Sequence, residues 1–161
     1  MASAAALKPR TVERSDVYLV RVDPPWPALC RFLYTEVGAA WHWVDRLSWT
    51  DTDWVLRLEG DRVELWLLTA AGVPAGYFEL DRNDDDIEIA YFGLVPRFIG
   101  QGLGAHLLTA AVQRAWAMGA RRVWLHTCTL DHPAALDNYL ARGFLIERVE
   151  TSQRIIAAPA R

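Results

Sequence analysis

The chain has 161 residues and a mass of 18.2 kDa, enough for one domain with a buried core and too little for two. Apolar residues make up 52% and charged residues 23%, which excludes a disordered chain, and a formal net charge of −3 excludes attraction to nucleic acid or an anionic membrane by overall field. Two cysteines, Cys30 and Cys128, exclude a disulfide framework and a four-cysteine zinc site.

The start, Met1 to Arg10, carries neither the basic region nor the apolar run of a signal peptide, and no stretch of about 18 apolar residues occurs. A cytoplasmic protein is expected. Residues 1–9 read as a flexible tail, and 10–161 as a single domain. Val17-Tyr18-Leu19-Val20 predicts a first strand, stopped by Pro24, Pro25 and Pro27. A helix follows from about Pro27 to Val37, with proline accepted in its first turn. Residues 38–60 are tryptophan-rich and partly helical by pattern. Arg62 to Thr69 and Ala75 to Leu80 predict two strands around the turn Ala71-Gly72-Val73-Pro74. Asp81 to Asp86 is a second turn and Ile87 to Val95 a fourth strand. Leu103 to Met118 is the clearest helix, because Leu103, Leu107, Leu108, Ala111, Val112, Ala115 and Trp116 recur at helical spacing. Gly119 stands where a C-terminal cap belongs. Arg122 to Cys128 predicts a fifth strand, Pro133 to Arg142 a short helix ending at Gly143, and Phe144 to Val149, with Arg154 to Ala157, the last strands. This order specifies a mixed, mostly antiparallel α/β sheet flanked by helices.

Ile99-Gly100-Gln101-Gly102-Leu103-Gly104 joins the fourth strand to the long helix. Alternate glycines let backbone approach a ligand, and the helix start behind them presents unpaired N–H groups and a positive dipole end, a setting for a pyrophosphate. One glycine would suffice for a plain turn. The loose dinucleotide pattern Gly100-x-Gly102-x-x-Ala105 lacks an early βαβ unit and an acid on the next strand, Val123 to Cys128. No Gly-Lys-Ser/Thr exists for a P-loop. Asp81-x-Asn83-x-Asp85 departs from a calcium loop at Asp86 and Phe92 and reads as a solvated turn. His126, Cys128 and His132 lack a second pair at ligand spacing, so no metal is expected and they read as structural.

Phe92-Gly-Leu-Val-Pro96 followed by Ile99 to Gly104 resembles the acyl-CoA motif of the GCN5-related N-acetyltransferase (GNAT) family, (Gln/Arg)-x-x-Gly-x-(Gly/Ala). Asn138-Tyr139-Leu-Ala-Arg-Gly143-Phe144 resembles the family's Tyr-x-x-x-Gly-Phe. The resemblance covers residues 62–150. Ile99 departs from it where the family has Arg or Gln, and His132 stands where it often has asparagine. The resemblance implies a gap between the fourth and fifth strands that takes the pantetheine arm of acetyl-CoA along Phe92 and Leu94. It places the pyrophosphate on amides from Gly100 through Gln101, Gly102, Leu103 and Gly104 to Ala105, with Ile99 opening the loop. It also implies transfer of an acetyl group to a primary amine by direct sequential attack. Tyr139 is then the acid for the leaving thiolate. Glu88, six residues before Leu94 and on its face of a regular strand, is the base, with Glu79 or solvent as rivals. Trp41, Trp43 and Trp49 fall on the acceptor side, where they either line a pocket for the amine substrate or simply pack the helices. A CoA-binding regulatory module without turnover is the alternative reading. No nucleic-acid or membrane partner is expected, and pairing of two copies as a homodimer is left open.

Overall fold

A computed structural model describes residues 1–152. Five strands form one sheet in the order β1-β2-β3-β4-β5: β1 (Val17–Arg21), β2 (Val63–Ala70), β3 (Val73–Asn83), β4 (Asp86–Leu94) and β5 (Arg122–Trp124). The first four pair antiparallel, and β4 pairs parallel with β5. The helices are α1 (Pro27–Gly38), α2 (Asp51–Leu58), α3 (Leu103–Ala117) and α4 (Ala135–Ala141). Among the described residues no helix is long and apolar enough to cross a membrane.

The predicted elements occur with small shifts of their ends, except that β5 stops at Trp124, four residues short of Cys128, and one strand is missing. Phe144 to Val149 is not a strand. The reason lies in β5, which keeps only three strand residues, and in its outer edge. There Val123 donates its N–H to the Met1 carbonyl at 3.0 Å and accepts from the Met1 amino group at 2.6 Å. Leu145, Ile146 and Val149 are consequently exposed. The strand expected at 154–157 lies outside the described residues. The segment read as a loose tail lies against the domain: Lys8 N–H bonds to the Arg142 carbonyl, and the Arg10 backbone both donates to and accepts from the Thr109 hydroxyl on α3.

The sheet has two covered faces. On one, Leu80, Ile87, Ile89, Phe92 and Leu94 meet α3, whose Leu103, Leu107, Leu108 and Ala111 are fully buried. On the other, Tyr77, Glu79, Asp81 and Tyr91 meet α1 and α2. α2 begins on a reciprocal capping box, in which the Thr50 side chain takes the Asp53 N–H and the Asp53 carboxylate takes the Thr50 N–H. That start sets the helix so that Arg57 reaches the sheet.

This second face holds a buried ionic chain. The Arg46 guanidinium is bidentate on Glu79, at 2.6 and 2.9 Å, and Arg57 bonds both Glu79 and Asp81. Arg62 closes the chain on Asp81 at 2.9 Å. Glu79 has no exposed surface and Arg46 has 6%. Arg46 also lies over the rings of Tyr91 and Trp49, at 4.1 and 4.4 Å, which weakly hydrated guanidinium favours. Replacing one partner leaves a buried charge exposed to a low dielectric. Arg46→Met should therefore destabilise the protein by about 3 kcal/mol in urea denaturation, at the low end of that class because Arg57 still neutralises Glu79. Glu79→Met added to it should recover part of the loss.

Candidate active site

The site is built by the parting of two strands. β4 and β5 pair only from Asp86↔Arg122 to Glu88↔Trp124. Beyond that point β4 continues to Leu94 while the chain after Trp124 turns away. The backbone groups of β4 that point toward β5 therefore face a gap in which they lack a strand partner.

β4 carries a bulge at the mouth of this gap. Its register with β3 passes from Leu80↔Ile89 to Glu79↔Tyr91, which leaves Ala90 unpaired and reverses the alternation of side chains. Glu88 thus falls on the α1/α2 face with Tyr91, while Phe92 and Leu94 fall on the α3 face. The expectation that Glu88 and Leu94 share a face is corrected on this point. An uninterrupted strand would have placed them together, and the extra residue separates them.

On the α3 side lies the glycine loop. Gly100 and Gly102 have φ of +84° and +78°, a backbone region costly for other residues. Gly102 is the N-cap of α3, with no side-chain cap bond and no acidic residue in the first turn. The first N–H groups of α3 at Leu103, Gly104 and Ala105 precede its first intrahelical bond, from His106 to the Gly102 carbonyl. The Leu103 side chain itself is fully buried. The Ile99 N–H is taken by the Pro96 carbonyl at 3.1 Å, and the Gln101 side chain is tied to the Arg97 carbonyl and to Arg14. Such an uncapped, acid-free helix start suits an anion, and the residues present fit the pyrophosphate of a coenzyme.

Tyr139 stands beside this loop. α4 is anchored there by the Asn138 side-chain amide, which donates to the Gly104 carbonyl at 3.3 Å. The Tyr139 ring packs edge-on against Phe92 and Phe144 and is nearly enclosed. Leu136, three residues before it on α4, is exposed. The Tyr139 hydroxyl makes no hydrogen bond to a described residue, and burial, helped by the Asp131 charge, raises the phenol above its ordinary value of 10.0. It stays a neutral donor at any working pH.

On the opposite face, Glu88 is mostly enclosed, and its Oε1 lies 3.0 Å from Nδ1 of His126. From the sequence alone His126 reads as structural, because nothing there joins it to a residue 38 positions earlier. The hydrogen bond to Glu88 raises its pKa above 6.5; the charges of Glu88, Asp131 and Asp45 act in the same sense, and partial burial opposes them. Glu79, the rival base, is fully buried under two guanidiniums and has no access to the gap.

The tryptophans divide. Trp43 packs against Tyr34, Tyr77 and Tyr91, and Trp49 against Trp54, with Arg46 over its face. Both rings pack the helices, and Trp49 alone of the two also faces an internal cation. Trp41 meets the edge of His132 across the gap, with ring centres 5.1 Å apart. Tyr91 also reaches this side, its hydroxyl 3.4 Å from Asp45. Two surface cavities formed by described residues, of about 320 and 520 Å³, are lined from β1 and the segments around it and have no part in this gap. Among the described residues no three His, Cys, Asp or Glu side chains gather as a metal site.

A model of the acetyltransferase (GNAT) family matches residues 26–144. The fold is similar to that of the ribosomal-protein-S18-alanine N-acetyltransferase from Escherichia coli, with 18% identity and a TM-score of 0.63 over 79% of this chain and 76% of that one. It is also similar to the aminoglycoside acetyltransferase meta-AAC0020 from an uncultured soil metagenomic sample, with 17% identity and a TM-score of 0.70 over 88% and 97%. The aminoglycoside N-acetyltransferase AAC(6')-Iy, solved with a CoA-linked bisubstrate analogue, gives 19% identity and a TM-score of 0.68 over 88% and 99%. Comparison with curated protein sequences finds no match.

The Glu88–His126 contact has a direct readout. A folded pKa raised above the unfolded one means that the pair's stabilisation is present below about pH 6.5 and is lost as pH rises through the folded value. In an NMR titration His126 should have its midpoint above about 6.5, and Glu88→Gln should bring the midpoint down.

Proposed function

The chain belongs to the GNAT family of acetyltransferases, and from that premise we propose that it transfers an acetyl group from acetyl-CoA to a primary amine by direct attack. The observation that carries this reading is the uncapped start of α3 behind Gly100 and Gly102, opening beside a strand gap with a neutral tyrosine hydroxyl at its wall. The coenzyme supplies the activated acetyl thioester. The amides from Gly100 to Ala105 would hold its pyrophosphate, and the free edge of β4 at Phe92 and Leu94 its amide-rich arm.

The residues divide the chemistry between the two faces. An amine arrives as an ammonium at neutral pH, with a pKa near 10.4 for a lysine side chain or about 8 for an α-amino group. Glu88 on the α1/α2 side takes that proton, directly or through a water. The Leu94 amide steadies the oxyanion that develops at the carbonyl. Tyr139 on the α3 side gives its proton to the departing sulfur. Base and acid on opposite faces let the amine and the leaving group sit on opposite sides of one carbonyl without exchanging protons with each other. The structural neighbours named above act on a protein amine and on aminoglycosides, so both classes belong in the acceptor search.

Release of CoA from acetyl-CoA, measured across amino acids, peptides, polyamines and aminoglycosides, tests the reading; binding without turnover of any amine would favour the regulatory module instead. Acetyl-CoA should raise the melting temperature by several degrees at saturation. Gly102→Val should abolish that shift, because a branched residue is strained at positive φ and its methyls would cover the loop amides. Tyr139→Phe keeps the ring and loses the donor. It should lower kcat by roughly 10- to 10³-fold and leave acetyl-CoA affinity within a few-fold in calorimetry.

A further inference from the structure

We propose that His126 is a positioning residue for Glu88 and carries the acceptor's proton from that carboxylate to solvent. This rests on Glu88 as the base of the proposed reaction. The β4–β5 pairing ends at Glu88↔Trp124, so Trp124 shares a face with Glu88, and His126, two residues on, returns to that face at the first point where the strands have parted. Its Nδ1 lies 3.0 Å from Glu88 Oε1. The pair spans the boundary of the site: the Glu88 side chain is 15% exposed and the His126 side chain 74%. A base enclosed to that extent must discharge its proton once per turnover, and the imidazole is the ionisable group in contact with it that reaches water.

The step balances as a proton relay. The ammonium N–H bond breaks and a Glu88 O–H bond forms. That proton then moves to the Nδ1 lone pair of neutral His126, which restores the carboxylate and gives an imidazolium. The exposed ring swings off Glu88, releases the Nδ1 proton to water and returns with its lone pair free. The Nδ1–H of the imidazolium is what holds the carboxylate, and only neutral His126 with its remaining proton on Nε2 can take the next one. The groups facing it are Glu88 from β4, Asp45 from the α1–α2 segment and Asp131 from the β5–α4 segment, all acids that favour its charged form. The relay consequently works above the raised His126 pKa and fails below it, and kcat/KM should climb with pH through that midpoint.

Two variants and one spectroscopic measurement test this, with the best acceptor of the amine panel as substrate. His126→Ala should lower kcat by about tenfold, leave KM for acetyl-CoA unchanged, and lose the inflection above about pH 6.5. Imidazole added to the buffer should restore its activity and leave the wild type unaffected. His126→Gln, which fills the same space without titrating, should show the same kcat loss. Wild-type kcat and pH profile in either variant would overturn the relay, as would a uniform loss at every pH that imidazole does not rescue. Glu88→Gln separates this proposal from the one beneath it. If Glu88→Gln is fully active, the base assignment fails. If Glu88→Gln is impaired and His126→Ala is not, only the relay fails. In the protein without ligands, a His126 NMR midpoint indifferent to Glu88→Gln would remove the contact itself.

Discussion

The site depends on the point at which β4 and β5 stop pairing. A parallel pair only three residues long, followed by a bulge at Ala90, opens the sheet and turns its side chains over within a few residues. Everything placed at the gap follows from that reversal. Phe92 and Leu94 go to the side of the glycine loop and Tyr139. Glu88 and Tyr91 go to the side of α1 and α2. A regular strand would have crowded the proposed base onto the wall assigned to the coenzyme.

Parting the last two strands of the sheet leaves unpaired backbone on β4, so the surrounding walls must be stiff. On the α1/α2 side this stiffness comes from Glu79, which gathers Arg46 and Arg57 from two separate segments, and from the rings that enclose Arg46. The Tyr34 hydroxyl oxygen also accepts the Arg46 backbone N–H at 3.2 Å. The irregular segment between α1 and α2 is thereby pinned by charge and aromatic contact, and it carries Trp41 and Asp45 to the mouth of the gap. The tryptophan richness of this region is mostly a packing feature; only Trp41 of the three considered reaches across, to His132.

On the α3 side the arrangement is the reverse, with backbone donors left unused. A helix of 15 residues that starts on glycine, without a capping side chain or an early acid, forgoes a few tenths of a kcal/mol at the cap and about 0.3–1 kcal/mol from the missing acid. Its buried face compensates, since Leu103, Leu107, Leu108 and Ala111 have no exposed surface. The sacrifice is understandable where an anion is to occupy the same donors.

Much of this was legible in the residue order. Hydrophobic spacing located α3, the turn residues located β2, β3 and β4, and the alternation of glycines marked the loop, because these depend on interactions within a few residues. The place of Tyr139 on the short helix before Gly143 and Phe144 was legible from its motif. Three features were not. The Ala90 bulge leaves no mark in the pattern Glu88-Ile-Ala-Tyr-Phe, which alternates acceptably in either register. The Met1 pairing on β5, and the resulting absence of a strand at 144–149, is a contest between two distant segments for one edge. The Glu88–His126 contact and the burial of Glu79 under Arg46 and Arg57 join residues from different elements. By itself, then, the sequence determined most of the elements, the glycine loop and the family, since local periodicity and short motifs encode them. Only the tertiary structure decided which carboxylate faces the gap and what stands beside it, because a side chain's face and partners are set by strand register and by contacts between segments far apart in the chain.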